Sequence, residues 1–149
     1  MSGLRPALTG IVEDFGALTE RQRLELLLEF SVNLPDLPPR YAEHPDLLEP
    51  VTECQSPLFL AVELSDAAPT RDSLVHVFFS VPREAPTTRG FAAILYEALD
   101  GLSAAEVLAV PLDLPDRLGL AHAVSPLRLR GMSAMLSRVK RQIEKALAA

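Results

Sequence analysis

The amino-acid sequence predicts an α+β fold, in which a small antiparallel β-sheet is packed with helices. Segments with apolar side chains at helical spacing lie on both sides of a central region in which apolar residues alternate with a period of two. The 149 residues, of which 48% are hydrophobic and 23% charged, have the size and composition of one globular domain. Since no repeat or linker divides the chain, we expect a single domain over residues 1–149.

Two helices are expected at the amino-terminal end. Apolar residues from Leu4 to Phe15 follow helical spacing, and Gly16 ends that helix. Thr19 and Gln22 have the spacing of a capping box and open a second helix, which stops before Pro35. The residues expected to face inward from the second helix are Leu24, Leu27, Leu28 and Ser31.

Residues 35–57 differ in composition from the rest of the chain. They contain six of the thirteen prolines and no glycine, which predicts a loop without regular structure but with restricted backbone freedom. Long loops inside a small domain are uncommon and are usually functional or disordered. Because Cys54 comes near the end of this segment, we expect the thiol where a rigid loop meets the first strand.

The central region predicts a β-hairpin. Residues 58–64 alternate with one apolar face, and residues 74–81 are rich in valine and phenylalanine. Residues 84–90 then lead into a helix whose apolar face runs from Phe91 to Leu99.

The carboxyl-terminal third predicts two further helices. Ser103 and Glu106 have capping-box spacing and open a short helix that runs to about Leu108. After a loop over residues 111–126, the last helix is expected from about Leu127 to Leu147.

The charge of the chain limits its partners. Fourteen basic and twenty acidic side chains give a net charge of −6, which argues against a nucleic-acid-binding protein. Residues 1–70 carry a net −8 and residues 117–149 a net +6, a division that either steers a partner or pairs the two halves within the fold. The longest apolar run, Phe91–Tyr96, is far below the roughly 20 residues that span a bilayer. Without a signal-peptide pattern near Met1, we expect a cytoplasmic protein that contacts no membrane.

Cysteine and histidine are too few for a metal site. One cysteine excludes an intramolecular disulfide and a multi-cysteine zinc or iron–sulfur site. The three histidines, His44, His76 and His122, are dispersed along the sequence. We therefore expect this chain to bind no metal and no cofactor of its own.

Cys54 is the candidate for chemistry. Its reactive form is the thiolate, and the neighbouring Glu53 should oppose thiolate formation unless a cation lies closer. Arg89 and Arg128, each near the start of an expected helix, are candidates for that cation. The alternative is that Cys54 is a small buried hydrophobic side chain, as lone cysteines often are.

Several sequence motifs resemble the SufE/CsdE family of cysteine desulfuration proteins. The likeness extends from about Val12 to Lys140 and is most specific where a Cys-Gln-Ser motif is followed in order by two downstream motifs. The segments that carry it are Phe30–Pro35, Glu53–Leu60, Thr88–Ala92 and Ser125–Met132. One departure is Glu53, where relatives commonly have glycine.

The resemblance implies a SufE/IscU-like fold and a function in sulfur transfer. Members take sulfur from the persulfide of a pyridoxal-phosphate-dependent cysteine desulfurase (SufS/CsdA-like), stimulate that enzyme, and pass the sulfur to an iron–sulfur scaffold (SufBCD-like) or another acceptor. Cys54 matches the acceptor position, and pyridoxal phosphate belongs to the partner. The supporting or partner-contacting positions implied by the resemblance are Gln55, Ser56, Glu84, Arg89 and Arg128.

Two other functions remain open from the sequence. A cysteine-dependent hydrolase needs a histidine within hydrogen-bonding reach of Cys54. A non-catalytic interaction module, docking through the acidic and basic ends of the chain, needs no thiol at all.

Overall fold

A computed structural model describes residues 6–54 and 57–149 of the chain. Over those residues, helices surround a three-stranded antiparallel sheet with the strand order β1-β2-β3, so the predicted α+β fold is confirmed. A short 3-10 helix, Pro45–Leu47, precedes β1. The remaining elements are α1 (Pro6–Gly16), α2 (Glu20–Ser31), α3 (Pro39–Ala42), β1 (Glu49–Pro50), β2 (Phe59–Leu64), β3 (Val75–Ser80), α4 (Pro86–Leu99), α5 (Ala104–Leu108), α6 (Leu114–Arg117) and α7 (Pro126–Ala148).

Both predicted capping boxes are confirmed. The Thr19 hydroxyl accepts a hydrogen bond from the Gln22 N–H at 3.3 Å, and the Gln22 side chain accepts one from the Thr19 N–H at 3.0 Å. Ser103 and Glu106 make the equivalent pair of bonds at the start of α5. The helix start expected at Leu4 lies outside the described residues.

Helix α4 lies in the centre of the molecule and packs closely against α2. A Cβ at Gly90 would collide with the carbonyl oxygen of Leu27, so only glycine permits this approach of the two helices. Leu27 and Ser31 face inward as expected, whereas the same prediction for Leu28 is wrong because that side chain is 36% exposed. The α2 helix therefore presents a narrower apolar face than its sequence suggests.

The proline-rich segment is more ordered than its composition suggests. The prediction of a loop without regular structure over residues 35–57 is wrong, because α3, the 3-10 helix and β1 all lie within it. Pro39 and Pro45 each occupy a first helical position, where a proline lacks no hydrogen bond that the helix would make. Tyr41 packs against Phe78 on the outer face of the sheet, with ring centroids 5.0 Å apart. These contacts with the sheet stabilise the short helices and the strand of the proline-rich segment.

Two helix boundaries also differ from the prediction. Helix α4 begins at Pro86, before the expected end of the preceding turn at Gly90. Helix α6 lies inside the loop expected over residues 111–126 and is buried through Leu114. Helix α7 begins as predicted, with the Ser125 hydroxyl accepting a hydrogen bond from a backbone N–H of the first turn. No helix of the described residues has the length and apolar character needed to cross a bilayer.

Candidate functional site

Cys54 lies on the loop of a β-hairpin. Strand β1 pairs antiparallel with β2, and beyond this pairing the Val51 N–H donates to the Leu58 carbonyl at 2.8 Å. These bonds close the base of the hairpin loop between Val51 and Leu58, and we call its described residues 52–54 the thiol loop. The expectation that Cys54 follows an unpaired loop therefore needs correction, because a strand precedes it as well. Two residues cannot be recognised as a strand from sequence, since strands are identified by a longer alternating pattern.

The sulfur of Cys54 rests against Gly131 of helix α7. A Cβ built on Gly131 would lie 2.8 Å from the Cys54 sulfur and 3.4 Å from the Cys54 Cα. The half-buried Cys54 side chain packs against the main hydrophobic core, and Gly131 itself is buried. The missing side chain at Gly131 thus forms a seat for the thiol.

The seated thiol is held in its protonated form. Burial raises the pKa of Cys54 to about 11, and the Glu53 carboxylate acts in the same direction, while Arg138 partly opposes both. The expected effect of Glu53 is therefore present. Because the thiolate is the nucleophile, Cys54 is a poor nucleophile while it rests on Gly131.

Arg138 of helix α7 joins the thiol loop to the rest of the protein. Its guanidinium lies 2.6 Å from a carboxylate oxygen of Glu53, 2.6 Å from one of Glu49, and 3.3 Å from the Thr52 hydroxyl. The side chain is only 14% exposed. Hydrogen bonds from Arg138 are the main reason that the pKa of Glu53 is lowered.

Glu49 has a second partner on the same helix. Gln142 donates to the other carboxylate oxygen of Glu49 at 2.8 Å and accepts the Val62 N–H of strand β2 at 2.9 Å. Burial alone would raise the pKa of Glu49, but hydrogen bonds from Gln142 and Arg138 lower it below its usual value. Helix α7 therefore holds β1, the thiol loop and β2 together.

Arg89 connects backbone segments. Its guanidinium donates to the carbonyl oxygens of Ser31, Val81 and Leu34 at 3.0, 2.6 and 3.5 Å. It thereby ties the end of α2 to the end of β3. The cation whose charge lowers the pKa of Cys54 is Arg138, which the sequence analysis did not single out.

Arg128 lies one helical turn before Gly131. It donates to the Thr87 hydroxyl at 2.9 Å and so joins the start of α7 to the start of α4. Glu84 is exposed in the turn that precedes α4. The remaining two predicted positions, Gln55 and Ser56, lie outside the described residues.

Neither a metal centre nor a cysteine–histidine pair is present in the described part of the chain. No three side chains among histidine, cysteine, aspartate and glutamate there are grouped to hold a metal ion. None of the three histidines, all of them in that part, hydrogen-bonds Cys54, and His76 instead lies 3.4 Å from Asp100. Among the described residues, no histidine is therefore placed to act on Cys54 as the base that a cysteine hydrolase needs.

These features define a small α+β protein with one thiol seated on a hairpin loop, and comparison with known proteins identifies its family. The sequence model of the SufE family, described as an Fe-S metabolism associated domain, matches residues 9–143. The chain is 53% identical over 145 residues to SufE-like proteins from two strains of Mycobacterium tuberculosis, covering 97% of this chain and 96% of theirs. A solution structure of a hypothetical protein from Thermus thermophilus has the same fold, with a TM-score of 0.80, 37% identity, and coverage of 98% and 99% of the two chains.

The chain belongs to the SufE family, and the resemblance noted in its sequence is confirmed. Its role therefore lies in Fe–S metabolism.

Proposed function

We propose that this protein accepts sulfur from a pyridoxal-phosphate-dependent cysteine desulfurase as a persulfide on Cys54. In this proposal it stimulates the desulfurase and delivers the sulfur to an Fe–S cluster scaffold. The observation that carries it is the position of the protein's only cysteine, on a hairpin loop with the sulfur seated against Gly131. Both cofactor and cluster chemistry then belong to the partners, since one thiol is too few to hold a cluster.

The transfer is a thiol exchange. The Cys54 thiolate attacks the outer sulfur of the donor persulfide, the sulfur–sulfur bond of the donor breaks, and the donor cysteine leaves as a thiolate. A new sulfur–sulfur bond forms on Cys54, so the count of bonds and electrons is unchanged and no oxidant is needed. The Cys54 proton must leave first, which the raised pKa of about 11 makes unfavourable at rest.

The resting geometry fits a carrier that is activated by its donor. While the sulfur stays on Gly131 it is half-buried and protonated, which limits reaction with adventitious electrophiles. When Cys54 leaves that seat, the desolvation that raises its pKa is relieved, and the thiolate becomes accessible. Docking on the desulfurase is the step that would move it.

The experiment compares sulfide release by a cognate cysteine desulfurase with and without this protein, in the wild type and in Cys54→Ser. We expect stimulation by the wild type alone, with unfolding midpoints that differ little because serine has nearly the volume of cysteine. Equal stimulation by both proteins would contradict the proposal and would favour an interaction module without thiol chemistry. Loss of folding in Cys54→Ser would favour a purely structural cysteine.

A further inference from the structure

The two carboxylate partners of Arg138 lie at the same distance, 2.6 Å, but differ in their surroundings. Glu49 lies on β1, where its side chain is 29% exposed and is also bound by Gln142. Glu53 lies on the thiol loop next to Cys54, and its side chain is 46% exposed. One ion pair of Arg138 is therefore made with the sheet, and the other is made with the segment that carries the thiol.

This difference allows the ion pair between Arg138 and Glu53 to separate while the ion pair between Arg138 and Glu49 stays intact. If Cys54 leaves Gly131, Glu53 moves with it into water and its carboxylate is readily solvated. Arg138 would keep Glu49 as its partner, so the largely buried guanidinium is not left without a counter-charge. When Glu53 separates from Arg138, the guanidinium therefore does not become a buried charge without a partner.

The base of the thiol loop is fixed independently of Arg138. The Val51 N–H remains bonded to the Leu58 carbonyl, and Val51 is buried. Between Val51 and Cys54, the side-chain contacts with α7 are those that Glu53 and Thr52 make with Arg138. A movement of Cys54 away from α7 must therefore break these contacts together with its own contact with Gly131, and a wider opening of the turn would also break the hydrogen bond from the Cys54 N–H to the Val51 carbonyl at 3.1 Å.

We propose that Arg138 is a positioning residue that latches Cys54 on Gly131 through Glu53, and that this latch opens when the protein accepts sulfur. The inference rests on the proposed function for its second half, because only a sulfur acceptor has to release the thiol toward a donor. The first half, the latch on the thiol, is independent of any partner. Arg138 does not touch the reacting sulfur.

The test distinguishes the effect of the length of the Glu53 side chain from the effect of its charge. Glu53→Asp keeps the negative charge beside Cys54 but shortens the side chain by one methylene, so the carboxylate no longer reaches Arg138. Arg138→Lys is the corresponding change on the helix, since it keeps the positive charge but loses the forked donor geometry. Arg141→Gln is a matched control, because Arg141 is an exposed basic residue of the same helix outside these hydrogen bonds.

The first measurement is the rate of Cys54 alkylation by iodoacetamide in the protein alone. We expect an increase of roughly two- to fivefold in Glu53→Asp and in Arg138→Lys, the range set by the loss of one partly exposed ion pair. The Arg141→Gln control should alkylate at the wild-type rate. A pure charge effect predicts no increase in Glu53→Asp, since its charge is unchanged, so wild-type rates in both latch variants would overturn the proposal.

The second measurement is the initial rate of sulfur acceptance from a desulfurase carrying a persulfide. We expect the latch variants to accept sulfur faster than the wild type by a similar factor. Faster alkylation with an unchanged rate of acceptance would overturn the claim that the latch opens during transfer. Faster alkylation with no acceptance by any form, including the wild type, would leave the latch supported and would contradict the proposed function.

Discussion

The packing of the Cys54 thiol against Gly131 is tested most directly by the substitution Gly131→Ala, which places a methyl group in the space that the sulfur occupies. A Cβ at this position would lie 2.8 Å from the Cys54 sulfur, whereas apolar contacts form at about 3.5–4.0 Å. The sulfur must therefore move by roughly 1 Å, away from helix α7 and toward solvent. Because the helix is long and packed along its length, we expect the thiol loop to yield.

The magnitude follows from the pKa. At about pH 7.5, a pKa of about 11 leaves roughly 0.03% thiolate, and the ordinary value of 9.0 would give about 3%, a hundredfold difference. A thiolate of lower pKa is also less nucleophilic, which removes about one factor of ten over two pKa units. We therefore expect iodoacetamide alkylation to rise by up to about tenfold, with the midpoint of its pH profile falling from about 11 toward 9.

Global stability should change little in Gly131→Ala. Alanine in a helix interior is favoured over glycine by about 1 kcal/mol, which offsets the contacts that Cys54 loses. Gly10→Ala in α1 is the matched control, because a Cβ there meets nothing within 4 Å and should leave Cys54 unaffected. If the pH profile of alkylation in Gly131→Ala kept its midpoint near 11, the claim that the thiol rests in the space beside Gly131 would be refuted. A loss of several kcal/mol in urea unfolding would instead refute the expectation that the loop yields.

Two further predictions concern stability. Arg89→Gln should lower the free energy of unfolding by about 2–3 kcal/mol, because three backbone carbonyls lose a charged donor. Arg21→Gln is the comparison, since Arg21 is 90% exposed with one long ion pair and should cost under about 0.5 kcal/mol; equal losses would contradict the role of Arg89. The lowered pKa values of Glu49 and Glu53 contribute stability that is present above their ordinary value of 4.5 and is lost as the pH falls through the folded values. Urea unfolding between about pH 6 and pH 3 should therefore weaken less in Arg138→Gln than in the wild type, and parallel curves would contradict this account.

Local signals in the sequence were sufficient for most helices. The capping boxes at Thr19 and Ser103 specify helix starts through residues three positions apart, and both form as expected. Ser125 followed by Pro126 likewise defines the start of α7. Such signals can be recognised in a sequence because the capping residues and the helix start that they determine lie within one helical turn.

The proline-rich segment could not be predicted in the same way. Its short elements are stabilised by contacts with the outer face of the sheet, such as Tyr41 on Phe78 and Arg40 with Glu63. Those contacts depend on a tertiary arrangement that a single sequence does not reveal. Composition alone favours a loop, and tertiary packing overrides it.

The site was predictable only in part. Cys54 could be singled out because it is the only cysteine, and the influence of Glu53 on its pKa follows from adjacency. Arg138 could not be found in this way, because it lies 85 positions from Glu53 and because basic residues late in a helix are already favoured by the helix dipole. Gly131 lies within the Ser125–Met132 segment that carries the family resemblance, yet its contact with the sulfur forms only when α7 packs against the hairpin.

The central claim is that Cys54 receives sulfur, and the most direct measurement is the intact mass of the protein after incubation with a cognate desulfurase and cysteine. The account predicts a mass gain of about 32 Da for one transferred sulfur, located on the peptide that contains Cys54 and absent in Cys54→Ser. The gain should disappear on treatment with a reducing thiol, because a persulfide is reducible. An unchanged mass alongside full stimulation of the desulfurase would contradict the account.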